Sequence, residues 1–252
     1  MGMLDKVPEM HRPQGAKGQR LMRGRPITAE EFDRMITAVE KVRRQDAGLW
    51  QRYLTGLWLS GLRLHESTLL SWDEDSLISI DLSGRHPRFR IYAEAEKGRK
   101  DRLLPMTPDF AEFALKTPEA ERTGNMFKIV GLFTGEPVTV KRISRTIYAI
   151  GKKAGVVVNK AAGKYASAHD LRRSFGTHWA SKVKPATLQL LMRHRSIETT
   201  LKYYVDQDAD DVADELWKTH RPKSNTSGNT PTAEAEKTKK GSAEASAEPF
   251  IL

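Results

Sequence analysis

The chain has no cysteine among its 252 residues, which excludes disulfides and cysteine-based zinc sites. No stretch approaches the roughly 18 consecutive apolar residues of a membrane-spanning helix, and no partner membrane is expected. The first residues lack the apolar core of a signal peptide. There is no P-loop to cradle a nucleotide and no His-Glu-x-x-His pair to hold zinc. What remains is a reducing-compartment protein whose 38% apolar content suffices for one sizeable domain or two small ones.

Against these absences stands an excess of positive charge, +10 from 42 Lys and Arg against 32 Asp and Glu. Net charge speaks about partners rather than fold, and this balance favours nucleic acid or an anionic surface. The excess is not in the C-terminal tail, because residues 222–252 hold four lysines and four glutamates. It lies in the first 221 residues, where it can form a binding face. Residues 1–26 carry six Lys and Arg against two acids, with scattered Gly and Pro and no apolar period. They read as a basic, poorly ordered arm or linker able to track phosphates.

Order begins at Ile27. Thr28 and Glu31 fit a capping box, followed by Phe32, Met35, Ile36 and Val39 at helical spacing. A second helix is expected from Trp50 to Ser60, with Leu54, Leu57 and Trp58 inward. Gly61 breaks it, and a short helix follows from Leu64 to Leu70. Residues 77–105 change period: ISID, FRIYAEA and RLLPM read as strands, with Ser83-Gly84 and Lys97-Gly98 as turn signals. Helices resume at about Pro108–Leu115, Val140–Ala154, Asp170–Ser181, Ala186–Met192 and Ala209–Trp217. The tail 222–252 is too polar to order itself. The expected fold class is mainly α with a small antiparallel β-sheet.

Four segments concentrate chemistry. In SGLRLHE, Arg63 follows the Gly61-Leu62 break, and Glu66 stands one turn on, able to hold its guanidinium. In EKGRKDRLLP, Lys97 sits at a hairpin turn that could place an amine deep in a groove. In HDLRRSFGTH, His169 and Arg172 are three apart and share a helix face, Arg173 points elsewhere, and Phe175 and Trp179 anchor the helix. An arginine fork beside an imidazole suits a phosphate. In LMRHRSIETTLKYY, Leu188, Leu191 and Met192 face the core, His194 ends the helix, and Tyr203 comes nine residues later. Each segment alone also reads blandly: a surface ion pair, a solvated turn, a polar helix side, a packed aromatic.

Together, in the order Arg63, Lys97, His169-x-x-Arg172, His194, Tyr203, they resemble the tyrosine recombinase, or phage integrase, family across residues 27–220. The resemblance implies a catalytic domain over residues 27–221 that cleaves and rejoins double-stranded DNA. A tyrosine hydroxyl attacks a phosphate, giving a 3′-phosphotyrosyl bond and a free 5′-hydroxyl. Bond energy is conserved, so neither metal nor ATP is expected as cofactor. Carried over by motif, Tyr203 is the nucleophile, Arg63 and Arg172 clamp phosphate oxygens, and His194 donates to them. His169 handles the phenol proton, Lys97 protonates the leaving 5′-oxygen, and Glu66 orients Arg63.

Two departures stand out. Arg193 precedes His194 where the family usually has glycine, and Tyr204 beside Tyr203 leaves a one-residue ambiguity. Tyr203 is chosen on its separation from His194 and from Thr199-Thr200. Family members also carry a helical core-binding domain that closes a clamp on DNA, whereas 26 residues precede Ile27 here. The chain is thus expected to be a fragment or to work without the clamp, and to bind DNA weakly and salt-sensitively by itself. A tetramer on DNA, a nucleoid-associated cytoplasmic location, and docking of residues 209–217 on a neighbour or on the chain's own body complete the expectations. The competing readings are a topoisomerase-like nicking and resealing enzyme, and a non-catalytic DNA-binding protein with the same fold.

Overall fold

A computed structural model describes residues 24–95 and 101–204. Helix α1, Ala29–Val42, starts at the expected capping box: Glu31 N–H donates to the Thr28 hydroxyl at 3.2 Å, and Thr28 N–H donates to the Glu31 carboxylate at 3.0 Å. Arg25 forks onto the same carboxylate at 2.7 and 2.5 Å. That fork, helped by the Thr28 N–H, holds Glu31 below the usual carboxylate range despite its burial. Phe32, Met35 and Val39 are buried as their spacing demands.

Helix α2, Ala47–Ser60, is the central element. Trp50, Tyr53, Leu54 and Leu57 are at most 1% exposed, and each such side chain contributes about 1.5–3 kcal/mol by leaving water. Trp58 stays half-buried and stacks on Phe32 with ring centroids 4.5 Å apart. Gly61 then turns left-handed, and α3, Leu64–Leu69, follows.

The sheet is mixed rather than purely antiparallel. Its strands β1 (Leu70–Ser71), β2 (Ile78–Asp81), β3 (Arg88–Ile91) and β4 (Arg102–Pro105) lie in sequence order, with β1 parallel to β2 and the others antiparallel. A two-residue edge strand carries no alternation to read, which is why β1 goes unseen in the sequence. The β2–β3 connection is pinned at Ser83, whose N–H and hydroxyl donate to Asp81 at 2.9 and 2.6 Å, while Arg88 pairs with the other Asp81 oxygen at 3.0 Å. The strand read through to Ala95 stops at Ile91, where a 3₁₀ turn replaces it.

Helices α4 (Pro108–Leu115), α5 (Val140–Lys153), α6 (Ala168–Ala180) and α7 (Pro185–Met192) lie within two residues of their expected bounds. The hairpin of β5 (Val157–Asn159) with β6 (Lys164–Tyr165), and α8 (Ile197–Leu201), were not among the expected elements, being too short to show a period. The helix expected at 209–217, the arm before Gly24, the tail 222–252 and the Lys97-Gly98 turn lie outside the described residues. No described helix is long and apolar enough to cross a membrane.

Among the described residues the apolar side chains gather in two clusters. The larger joins α1, α2, the sheet, α4 and α5. The smaller comprises Phe175, Ala180, Leu188, Leu191 and Met192, with Trp179, Val183, Tyr203 and Tyr204 packed against it. The chain entering at Gly24 is fastened to α6: Ile27 N–H donates to the Ser174 hydroxyl at 2.8 Å, and that hydroxyl donates to the Asp170 carbonyl at 2.9 Å.

Candidate active site

The site is assembled from helix ends. Helix α2 ends at Gly61 (φ 59°), and an added Cβ there would lie 2.4 Å from the Phe175 ring, so glycine is required by both conformation and space. The turn delivers Arg63 to the start of α3. There the Glu66 carboxylate accepts from the Arg63 backbone N–H at 2.7 Å and from Nη1 at 2.6 Å. Glu66 is buried, whereas the Arg63 side chain is 44% exposed and open to an anion. Burial pushes the Glu66 carboxyl up, but Arg193 and Arg63 together hold it below its ordinary value.

Arg172, one turn into α6, is 6% exposed. Its Nη1 donates to the Gly61 carbonyl and its Nη2 to the Met192 carbonyl, at the C-terminal ends of α2 and α7. Helix C-termini carry partial negative charge, so a buried guanidinium is supported from two sides. Its pKa is nonetheless pushed down to about 9, by burial first and then by Arg193 and Arg63, and it remains a cation at neutral pH. Arg173 leaves in another direction and pairs with Asp170, whose second oxygen accepts from the Ser167 N–H at 3.0 Å and hydroxyl at 2.6 Å. That arrangement starts α6 and sets His169 in its first turn. His169 is held below its usual pKa by burial and then by Arg173, with Asp170 opposing.

Helix α7 ends in a Schellman motif. Arg193 is left-handed (φ 49°, ψ 45°), its N–H donates to Leu190 at 3.0 Å, and the His194 N–H donates to Gln189 at 3.1 Å. The motif fixes His194, whose Nδ1 shares a 3.0 Å hydrogen bond with the buried Thr200 hydroxyl. Burial, then Arg172, Arg63 and Arg193, push the imidazole down to about 4, so it is neutral at pH 7.

Tyr203 lies in the turn after α8. Its ring stacks on His194 with centroids 5.8 Å apart at 19°, and rests on Gly176, where a Cβ would come within 2.5 Å. Burial raises its phenol pKa, with Arg172 and then Arg173 opposing. Tyr204 differs: its hydroxyl donates to the Val183 carbonyl at 2.6 Å. One tyrosine is tied to backbone, and the other faces histidine and arginine.

Arg63, Glu66, Arg172, His194 and Tyr203 are thus brought together, and His169 stands in the first turn of α6, three residues before Arg172. Lys97 lies outside the described residues. Two further residues join the site that were not among the candidates: Thr200, the partner of His194, and Arg193, which turns inward so that its Nη2 donates to Glu66 Oε2. The only sequence signal for either was proximity to His194. Among the described residues no group of three or more His, Asp or Glu side chains is placed to hold a metal ion.

Cations gathered at helix ends around a half-buried tyrosine place concentrated positive charge beside a phenol. Residues 25–210 match the model of the Phage integrase family, and the chain belongs to that family. It is 29% identical over 187 residues to tyrosine recombinase XerC of Chlamydia caviae, an overlap covering 71% of this chain and 53% of the relative. The chain therefore spans about half the length of that relative. Among solved structures, XerA recombinase superposes with a TM-score of 0.50 at 23% identity, covering 78% of this chain and 65% of that one. The lambda integrase dimer bound to a COC′ core site gives 0.54 at 16%, covering 78% and 64%. The Tn1549 transposon integrase in complex with transposon right end DNA gives 0.52 at 18%, covering 80% and 67%. At such identities the superpositions establish the fold: mainly helical, with small sheets.

Proposed function

We propose that this chain is the catalytic domain of a site-specific DNA recombinase, with Tyr203 as nucleophile. The observation that carries this is the convergence of Arg63, Arg172, His194 and Tyr203, from three separate segments, on one site. Tyr203 Oη attacks the phosphorus, the bond to the 5′-oxygen breaks, and a 3′-phosphotyrosyl bond forms. The 5′-oxygen leaves with a proton that Lys97 supplies as general acid, and religation reverses the step.

A phenol of pKa about 10 needs roughly 4 kcal/mol to ionise at pH 7. Burial makes Tyr203 harder still to ionise. The bound phosphate and its arginines must therefore act as the proton leaves, with His169, lowered and neutral, taking it. Arg63 and Arg172 meet the charge that grows on the phosphate oxygens. Neutral His194, its Nδ1 bonded to the Thr200 hydroxyl, is the further donor to the phosphate, through Nε2. The exposed face of α5, with Lys141, Arg142, Arg145, Lys152 and Lys153 and no acid on the helix, supplies a track for DNA backbone. The partner is double-stranded DNA, on which the chain works as a tetramer in the nucleoid.

The test is a covalent adduct. Wild type incubated with supercoiled plasmid and denatured is expected to retain DNA on protein, Tyr204→Phe likewise, and Tyr203→Phe not at all. No wild-type adduct on any DNA, nicked substrates included, removes the enzyme. An adduct that survives Tyr203→Phe but not Tyr204→Phe moves the nucleophile by one residue.

A further inference from the structure

The left-handed residue between α7 and His194 is an arginine, although that backbone conformation costs a side-chain-bearing residue about 1–2 kcal/mol. Its carbonyl and guanidinium are both engaged with the first motif. Arg63 Nη2 donates to the Arg193 carbonyl at 3.0 Å. Arg193 Nη2, on a side chain 1% exposed, donates to Glu66 Oε2. Glu66 in turn accepts from the Arg63 N–H and Nη1. The three residues form a closed ring across 130 positions of sequence.

Electrostatics give the ring a second consequence. A single carboxylate serving Arg63 alone neutralises the cation meant for the phosphate. Shared with Arg193, it leaves three guanidiniums (Arg63, Arg172 and Arg193) against one negative charge. The site keeps one more unit of positive charge than glycine at this position would leave it.

We infer that Arg193 is a positioning residue for the phosphodiester. From beneath, it ties Glu66 so that Arg63 is held at both ends, and it maintains the positive balance of the site. The inference rests on the recombinase reading and deepens it.

Three variants separate the side chain from the backbone it caps. Arg193→Gly keeps the left-handed helix end and deletes the tie. Arg193→Met keeps bulk without charge, and Arg193→Lys keeps charge without the fork. Initial rates of covalent adduct formation are measured against plasmid concentration, normalised to folded protein by circular dichroism. In parallel, without DNA, the mobility of the Arg63 Nε–Hε group is read by the heteronuclear NOE.

The maximal rate is expected to fall about 10–100-fold in the Gly and Met variants, with little change in the half-saturating plasmid concentration. Lysine should recover part of the rate, and Arg63 should become mobile in the Gly and Met variants. Arg193→Gly reacting at the wild-type rate, or Arg63 as rigid in both variants as in wild type, overturns the inference. If wild type makes no adduct, the parent reading fails. The NOE then still decides the tie: loosening of Arg63 supports it and unchanged rigidity rejects it.

Discussion

Two helices, α2 and α7, end in the same left-handed conformation on either side of the Arg172 guanidinium, one at Gly61 and the other at Arg193. At Gly61 the space beyond Cα is filled by Phe175, so the position excludes a side chain. At Arg193 the same direction is open and leads to Glu66, so the position uses one. A glycine at a left-handed helix end is a steric statement; an arginine there means the side chain is occupied elsewhere. The carbonyls of Gly61 and Met192 serve one end alike: each presents an acceptor to Arg172.

The sharpest way to break this pairing is to remove what both ends grip. Arg172→Met is expected to lower the adduct rate by about 10²–10³ or more, as for loss of a preorganised donor. It also deprives two carbonyls of a donor, at about 1–3 kcal/mol for each one left unsatisfied. Adduct kinetics and urea denaturation measure the two losses separately.

Next comes Gly61→Ala. Overpacking against Phe175 costs about 1–3 kcal/mol, on top of about 1–2 kcal/mol for a left-handed alanine. A clear drop in the urea midpoint at unchanged slope is expected. A midpoint equal to wild type would refute the steric account.

The smallest effect is the pH dependence of His194. Its folded pKa of about 4 lies below the ordinary histidine value of 6.5. The folded state therefore resists a proton that the unfolded chain accepts. The corresponding stability is complete above pH 6.5 and is lost as pH falls toward 4. His169 and His178 are lowered too and slope the same way, so the signal is the difference between wild type and His194→Asn. The variant should lose less stability between pH 7 and 5, followed by melting temperature.

How much of this was legible before folding depended on length of signal. The Thr28–Glu31 box and the Phe32, Met35, Val39 stripe defined α1 because each rests on local spacing. Arg63 with Glu66, and His169 with Arg172, were readable because three residues is one helical turn. The parallel pairing of Leu70–Ser71 with Ile78–Ser79, and the five-residue helix at Ile197, were too short to carry a period. The bond between His194 and Thr200 and the salt bridge of Arg193 depend on where a side chain turns in three dimensions, which spacing does not encode. Arg193 was legible as added charge beside the site, but not as a support lying under it.

The ring joining Arg63, Glu66 and Arg193 also orders events in time. A chain emerging from the ribosome N-terminus first presents Arg63 and Glu66 while their partner is still 127 residues from being made. Arg172 meets the Gly61 carbonyl only after 111 residues, and the Met192 carbonyl, His194 and Tyr203 come later still. No truncated product that stops before α7 can hold Arg63 from beneath or seat the tyrosine. The tie beneath Arg63 is thus completed late in synthesis, when the end of α7 closes on Arg63 and Glu66.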